Sequence, residues 1–256
     1  MKKSFRYTLL ITLVCLLFAC KSEYKKSTFH AENIIVSSGN TTIDSSIVRL
    51  CRPYKEKLDK DMNRVISVSP IVMDKNKPES LLTNFLGDLL LEEGKKVSRE
   101  KQLGFIPDVS FFNYGGIRMA ALPKGEITVG KAFELMPFEN QMVFVKIKGS
   151  KMKSFMDYIA RHGGGSIGGA RIVISNQKAI KIKIGEKDFN PKASYWVVTN
   201  DYVAGGGDGL NAFKNYLAYI NSEVKIRDAI ISYMEEQQKN NKQLTAKLDR
   251  RICYDE

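Results

Sequence analysis

Residues 196–210, WVVTNDYVAGGGDGL, constrain the fold more than any other stretch. Val197, Val198 and Thr199 are β-branched and closed by turn residues, which predicts a buried strand. The chain leaves that strand through Asn200, Asp201 and Tyr202 and enters Gly205-Gly206-Gly207-Asp208-Gly209. Four glycines in five positions let the backbone take positive φ and pass close to a ligand with no Cβ in the way. One ring, Tyr202, and one carboxylate, Asp208, sit in this loop. A nucleoside needs a flat surface for its base and an acceptor for its ribose hydroxyls, and the loop offers both. The same residues also suit an ordinary glycine-rich turn with a solvated Asp, so the functional reading rests on what else the chain supplies.

The first residues read as a targeting segment. Lys2, Lys3 and Arg6 make a basic start, and residues 7–19 an apolar run too short for a comfortable membrane span. The run ends in Leu17-Phe18-Ala19-Cys20, which resembles a bacterial lipobox. The expectation is a signal peptide over 1–19, a lipidated Cys20 with a polar tether to residue 33, and a body over 34–256. That places the protein in the bacterial cell envelope, facing the periplasm or on the outer membrane, and held by acyl chains. Cys51 and Cys253 remain, an even pair in an oxidising compartment. A bridge between them would contribute about 4–5 kcal/mol in the chain-entropy model; two unpaired thiols are the other reading.

Forty Lys and Arg against 28 Asp and Glu give a net charge of +12. Without Lys2, Lys3 and Arg6 the balance is 37 − 28 = +9. The basic residues are dispersed, with no binding module for nucleic acid, so the excess reads as solvated surface with a general attraction for anions and no nucleic-acid partner.

The body alternates helices and strands. Helices are predicted over 44–62, with Asp44 as N-cap and a kink at Pro53, over 78–93, 128–135 and from Ser150 to about 161, and a last one over 222–238. Strands are predicted over 65–73, 107–112, 142–148, 171–174, 179–184 and 196–199, with a glycine-rich loop at 163–169. No repeat or linker divides the body, so the fold class is mixed α/β in a single domain.

Three other stretches carry groups suited to a ligand. Asn113-Tyr114-Gly115-Gly116-Ile117-Arg118 follows a predicted strand. Its glycines thin the backbone, Arg118 offers a planar fork for phosphate or ribose oxygens, and Asn113 a donor and an acceptor for a base edge. In Met136-Pro137-Phe138-Glu139-Asn140, Phe138 either caps the core or forms the second face of a base clamp opposite Tyr202. His162-Gly163-Gly164-Gly165 offers backbone N–H groups to a phosphate. His30 and His162 are the only histidines, too few for a two-metal phosphoesterase centre. With no Ser/His/Asp arrangement or Walker loop either, no catalytic residue and no metal ligand is expected in this chain.

The order ESLLTNFLGDLL, NYGGIR, LMPFEN, a GGG loop and NDYVAGGGDG resembles the C-terminal domain of the 5′-nucleotidase family, which includes bacterial UDP-sugar hydrolases and ecto-5′-nucleotidases. The resemblance covers roughly residues 40–240. It implies a four-layer α/β/β/α domain that binds the nucleotide, with Phe138 and Tyr202 sandwiching the base. The second ring is typically Phe in the family, so Tyr202 departs while keeping the ring. Asp208 would hold the ribose hydroxyls, with Gly206 and Gly207 in its loop. Asn113 and Arg118, with Gly115 and Gly116, would reach base, ribose or phosphate. An Arg that some members carry beside the helix corresponding to residues 78–90 is missing. Family members also carry a metallophosphatase domain with two metal ions. The resemblance therefore implies a nucleotide-binding half that works with a separately made metallophosphatase chain, which would supply the divalent metal pair. A non-enzymatic nucleoside-binding envelope lipoprotein is the alternative.

Overall fold

The alternation in QMVFVKIK, residues 141–148, sorts its side chains to two faces, and both faces are buried. Val143, Val145 and Ile147 join one core; Met142 and Phe144 join another. A strand with a core on each side lies inside the molecule, and the rest of the fold is arranged about it. The computed structural model describes residues 32–33 and 43–255. The chain divides into two compact units, Met1–Leu50 and Cys51–Glu256. Of the first, residues 32–33 and 43–50 are described; the leader, Cys20 and most of the tether lie outside the described residues.

In chain order the elements are α1 (Ser45–Met62), β1 (Val65–Ser69), β2 (Met73–Asp74), α2 (Leu81–Glu100), β3 (Val109–Phe112), β4 (Ala121–Leu122), β5 (Gly125–Thr128), α3 (Val129–Leu135), β6 (Gln141–Lys148), α4 (Gly149–Arg161), β7 (Ser166–Gly168), β8 (Ala170–Ser175), β9 (Lys178–Ile184), β10 (Lys187–Asp188), β11 (Ser194–Asn200), the single turn α5 (Asp201–Ala204), β12 (Ala218–Lys225), α6 (Ile226–Lys239) and β13 (Ile252–Tyr254). The main sheet runs β12-β6-β11-β3-β7, and a second sheet runs β10-β9-β8-β13. In the main sheet β11 pairs with β3 in parallel, so Phe112 and Asn200 bring their following loops out at the same end. That end carries the site.

Leu82, Leu86, Leu89 and Leu90 of α2 and Ile226, Ile230 and Met234 of α6 cover one face of the main sheet with Phe112, Phe144 and Val198. Each such fully buried side chain contributes about 1.5–3 kcal/mol of transfer free energy. The other face packs Val109, Val143, Val145 and Val197 on Met152, Phe155, Met156 and Ile159 of α4 and on Ile172, Ile174 and Ile252 of the second sheet.

Several boundaries differ from those predicted, each for a local reason. Pro70 has no N–H to donate, and β1 stops at Ser69. α2 begins at Leu81 because Ser80 and Thr83 form a capping box: Thr83 N donates to Ser80 Oγ at 3.3 Å and Ser80 N to Thr83 Oγ1 at 2.8 Å. Ser150 is inside α4 rather than its cap. Part of the glycine-rich loop is strand β7, and residues 222–225 end strand β12 before α6 begins. Helix α1 runs through Pro53 with its apolar residues exposed, Tyr54 and Leu58 among them. Of the two readings for Cys51 and Cys253, the structure has the unpaired one: both thiols are free, Cys51 exposed on α1 and Cys253 half-buried on β13. Among the described residues no helix is long and apolar enough to cross a membrane.

Candidate functional site

β3 delivers Asn113 and β11 delivers Asn200 to the same end of the sheet. Both are buried, and Asn200 Nδ2 donates to Asn113 Oδ1 at 3.1 Å. That bond fixes the Asn113 amide so that Nδ2 donates to Asp208 Oδ2 at 2.8 Å. Gly116 makes room for this arrangement, since a Cβ there would lie 2.7 Å from Asn113 Oδ1. Gly115 faces open space instead.

Asn200 has a second task. Its Oδ1 accepts from Val203 N at 2.8 Å and caps α5, which sets Tyr202 on the first turn. The chain then turns at Gly206 with φ +94°, a conformation that glycine adopts freely, and reaches Asp208 at φ +53°. The Tyr202 hydroxyl donates to Asp208 Oδ1 at 2.9 Å and accepts from Asp208 N at 3.2 Å. The Tyr202 ring lies over Gly207, where a Cβ would come within 2.4 Å of Cε1. Behind the loop, Tyr158 Oη donates to the Asp208 carbonyl at 3.1 Å. Burial pushes the Tyr158 phenol above its usual range, with Asp208 and Tyr202 adding to the effect.

Arg118 N donates to Leu135 O at 3.0 Å, which brings NYGGIR beside the loop after α3. The Arg118 guanidinium sits 6.0 Å from the Phe138 ring centroid. The Phe138 loop is held by charge. Arg227 Nη1 donates to Pro137 O at 3.2 Å, and Glu139 pairs with both Lys225 and Arg227. Donation first from Lys225 and then from Arg227 holds the Glu139 carboxyl at about 2, well below its ordinary range.

Asn113, Gly115, Gly116, Arg118, Phe138, Tyr202 and Asp208, with Asn140, line one cavity of about 340 Å³. Seven of the nine residues singled out for ligand contact therefore meet there. Gly206 and Gly207 do not line it: one makes the left-handed turn and the other lies under the Tyr202 ring. Asn140 was missed by the sequence reading, and its position two residues after Phe138 was the available signal. A second cavity of about 400 Å³, lined by Lys77, Tyr114, Tyr158 and His162, shares Gly115 and Asp208 with the first. The glycine loop beside it is not an anion nest. The N–H groups of Gly163, Gly164 and Gly165 already donate to Ala160 O, Ile159 O and Pro78 O. Lys75 lies 4.4 Å and Lys77 4.7 Å from the Tyr114 centroid; burial, then Arg118 and Lys77, depresses the Lys75 ammonium. Among the described residues no group of three or more His, Cys, Asp or Glu comes together to hold a metal ion.

The family model described as "5′-nucleotidase, C-terminal domain" matches residues 65–215, more than half of the chain. The trifunctional nucleotide phosphoesterase protein YfkN of Bacillus subtilis is 25% identical over 197 residues, covering 67% of this chain and 13% of that protein. A 5′-nucleotidase of Vibrio parahaemolyticus is 25% identical over 201 residues, covering 76% of this chain and 34% of that protein. The chain thus spans about a third or less of the length of these relatives. Among solved structures, the 5′-nucleotidase precursor from Thermus thermophilus superposes with a TM-score of 0.66 at 23% identity, over 80% of this chain and 42% of that one. The Haemophilus influenzae NAD nucleotidase gives 0.61 at 20% identity, over 83% and 41%. These likenesses show the shared fold.

Proposed function

The chain belongs to the 5′-nucleotidase C-terminal domain family, and we propose that it is the nucleotide-recognition half of an exported 5′-nucleotidase. The observation that supports this most is convergence. Asn113, Arg118, Phe138, Tyr202 and Asp208 come from three separate stretches of the chain, 113–118, 136–140 and 201–209, and line one cavity. In this reading Phe138 and Tyr202 stack on the base, Asn113 meets its edge, and Asp208 accepts from the ribose hydroxyls. Arg118, beside Phe138, meets ribose or phosphate oxygens as a bidentate donor. The exported location and the acyl anchor on Cys20 belong to the same proposal.

The chain's own residues bind and orient the nucleotide. Hydrolysis belongs to a metallophosphatase unit outside these residues, which would hold the pair of divalent metal ions that activates water. Fixing base and ribose presents the phosphate ester in one orientation, and positioning of this kind lowers the entropic part of the barrier.

Calorimetric titration of the full chain with AMP and adenosine tests the clamp. Stacking on an aromatic is worth about 1–3 kcal/mol per base, so Phe138→Ala should weaken binding by roughly five- to 150-fold, and Tyr202→Ala by a similar factor when compared with Tyr202→Phe. No binding by the intact chain at millimolar ligand would overturn the recognition role. Rapid AMP hydrolysis by the pure chain with added divalent metal would overturn the division of labour.

A further inference from the structure

The Tyr202 hydroxyl does more than the ring needs. It donates to Asp208 Oδ1 at 2.9 Å and accepts from Asp208 N at 3.2 Å. A ribose hydroxyl bound at this loop would make the same two bonds, one to the carboxylate and one from the loop N–H. The other carboxylate oxygen, Oδ2, already accepts from Asn113 Nδ2 at 2.8 Å. A carboxylate oxygen can accept twice, so Oδ2 keeps Asn113 and still has room for a ligand, but a sugar hydroxyl that bridges Oδ1 and the Asp208 N–H has to take the position that the Tyr202 hydroxyl holds.

The two donors are not equally free to leave. Asn113 is buried, held by Asn200, and seated against Gly116. Tyr202 is 49% exposed, and its ring lies on a glycine rather than in a packed pocket. The ring can lift away from Gly207 without opening the core, and lifting it releases both Asp208 Oδ1 and Asp208 N.

We infer that the Tyr202 hydroxyl holds the place of a ribose hydroxyl on Asp208, so that a ribonucleoside must displace it to bind. This rests on the nucleotide-recognition reading and adds a specificity-determining role to it. The ring contributes stacking, while its hydroxyl competes with the sugar. A ligand without ribose hydroxyls gains nothing from the displacement, so the tie sets how strongly the site responds to the sugar.

The test is a titration of the full chain and of Tyr202→Phe, each with adenosine and with 2′,3′-dideoxyadenosine. Removing the competitor should tighten adenosine roughly five- to tenfold, the worth of about one net hydrogen bond. The dideoxy ligand should change by less than about twofold, because it makes no bond to Asp208. Adenosine binding that is equal or weaker in Tyr202→Phe would overturn the inference and leave the recognition role standing. An equal gain for both ligands would also overturn it, by assigning the effect to the ring. If neither protein binds adenosine at millimolar concentration, the recognition reading itself falls and this inference with it.

Discussion

Two glycine-rich loops, 163–169 and 205–209, look alike in sequence and serve opposite purposes. In the first, glycine lets backbone pack on backbone. A Cβ at Gly164 would lie 2.1 Å from Pro78 O, and one at Gly168 would lie 2.5 Å from Gly87 O. Its N–H groups are bonded within the protein. In the second, what meets Gly207 is an exposed side chain, and what meets Gly206 is the flexible end of Lys214. One loop is locked by the fold. The other is held by side-chain hydrogen bonds to Asp208, one from the buried Asn113 and one from the exposed Tyr202. Glycine content marks where backbone is permissive; the neighbours decide whether that freedom goes to packing or to a site.

The sharpest way to break this contrast is to add one methyl group to each loop. Gly164→Ala places a Cβ against backbone at φ +117°, so the chain has to move on both counts. It should cost about 3 kcal/mol or more, read as a fall in the denaturant midpoint at unchanged slope. A loss below about 1 kcal/mol would mean that the 163–169 loop is as loose as the other.

The same contrast explains what could be read from sequence. Strand 196–199 and its glycine exit, NYGGIR, and Phe138 were legible because each pairs a local pattern with distinctive chemistry. That Asn113, Arg118, Phe138 and Asp208 share a cavity was carried by the resemblance, and no spacing rule gives it. Missed were features that depend on distant partners. Gly168 belongs to strand β7 only because Ser110 of β3 lies beside it. The Gly165 N–H is occupied only because Pro78 is near, while those of Gly163 and Gly164 close the end of their own helix, α4. Residues 222–225 follow the main sheet because β12 pairs with β6, although their neighbours read as helix. The role of the Tyr202 hydroxyl was invisible, since a Phe-to-Tyr change looks neutral until Asp208 is found within hydrogen-bond reach.

A smaller effect is expected at Gly207. The added Cβ would meet the Tyr202 ring, and an exposed ring can swing away. Gly207→Ala should therefore cost about 1 kcal/mol, clearly less than Gly164→Ala. The same denaturation experiment measures both. Equal losses would show that the Tyr202 ring is as fixed as the backbone at Pro78, and would argue against its displacement by a ligand.

The smallest effect concerns acid. The cavity side depends on ion pairs and hydrogen bonds, and the 163–169 loop on packing, so acid should loosen the cavity side first. Glu139 ties the Phe138 loop to Lys225 and Arg227, and its carboxyl is held at about 2 against an ordinary value of 4.5. A carboxylate depressed in the folded state adds stability that is fully present above its unfolded value and is lost as pH falls from about 4.5 toward 2. Glu139 is exposed, so solvent screens the pair and the contribution is small. Glu139→Gln should therefore lower stability slightly at neutral pH and flatten its decline between about pH 4.5 and 2, as read from thermal midpoints across that range. It should also weaken adenosine more than it weakens the fold, because the loop it releases carries Phe138, the ring proposed to stack on the base. An unchanged acid profile would show that Phe138 is held by packing after all, and that the cavity side and the 163–169 loop are built alike.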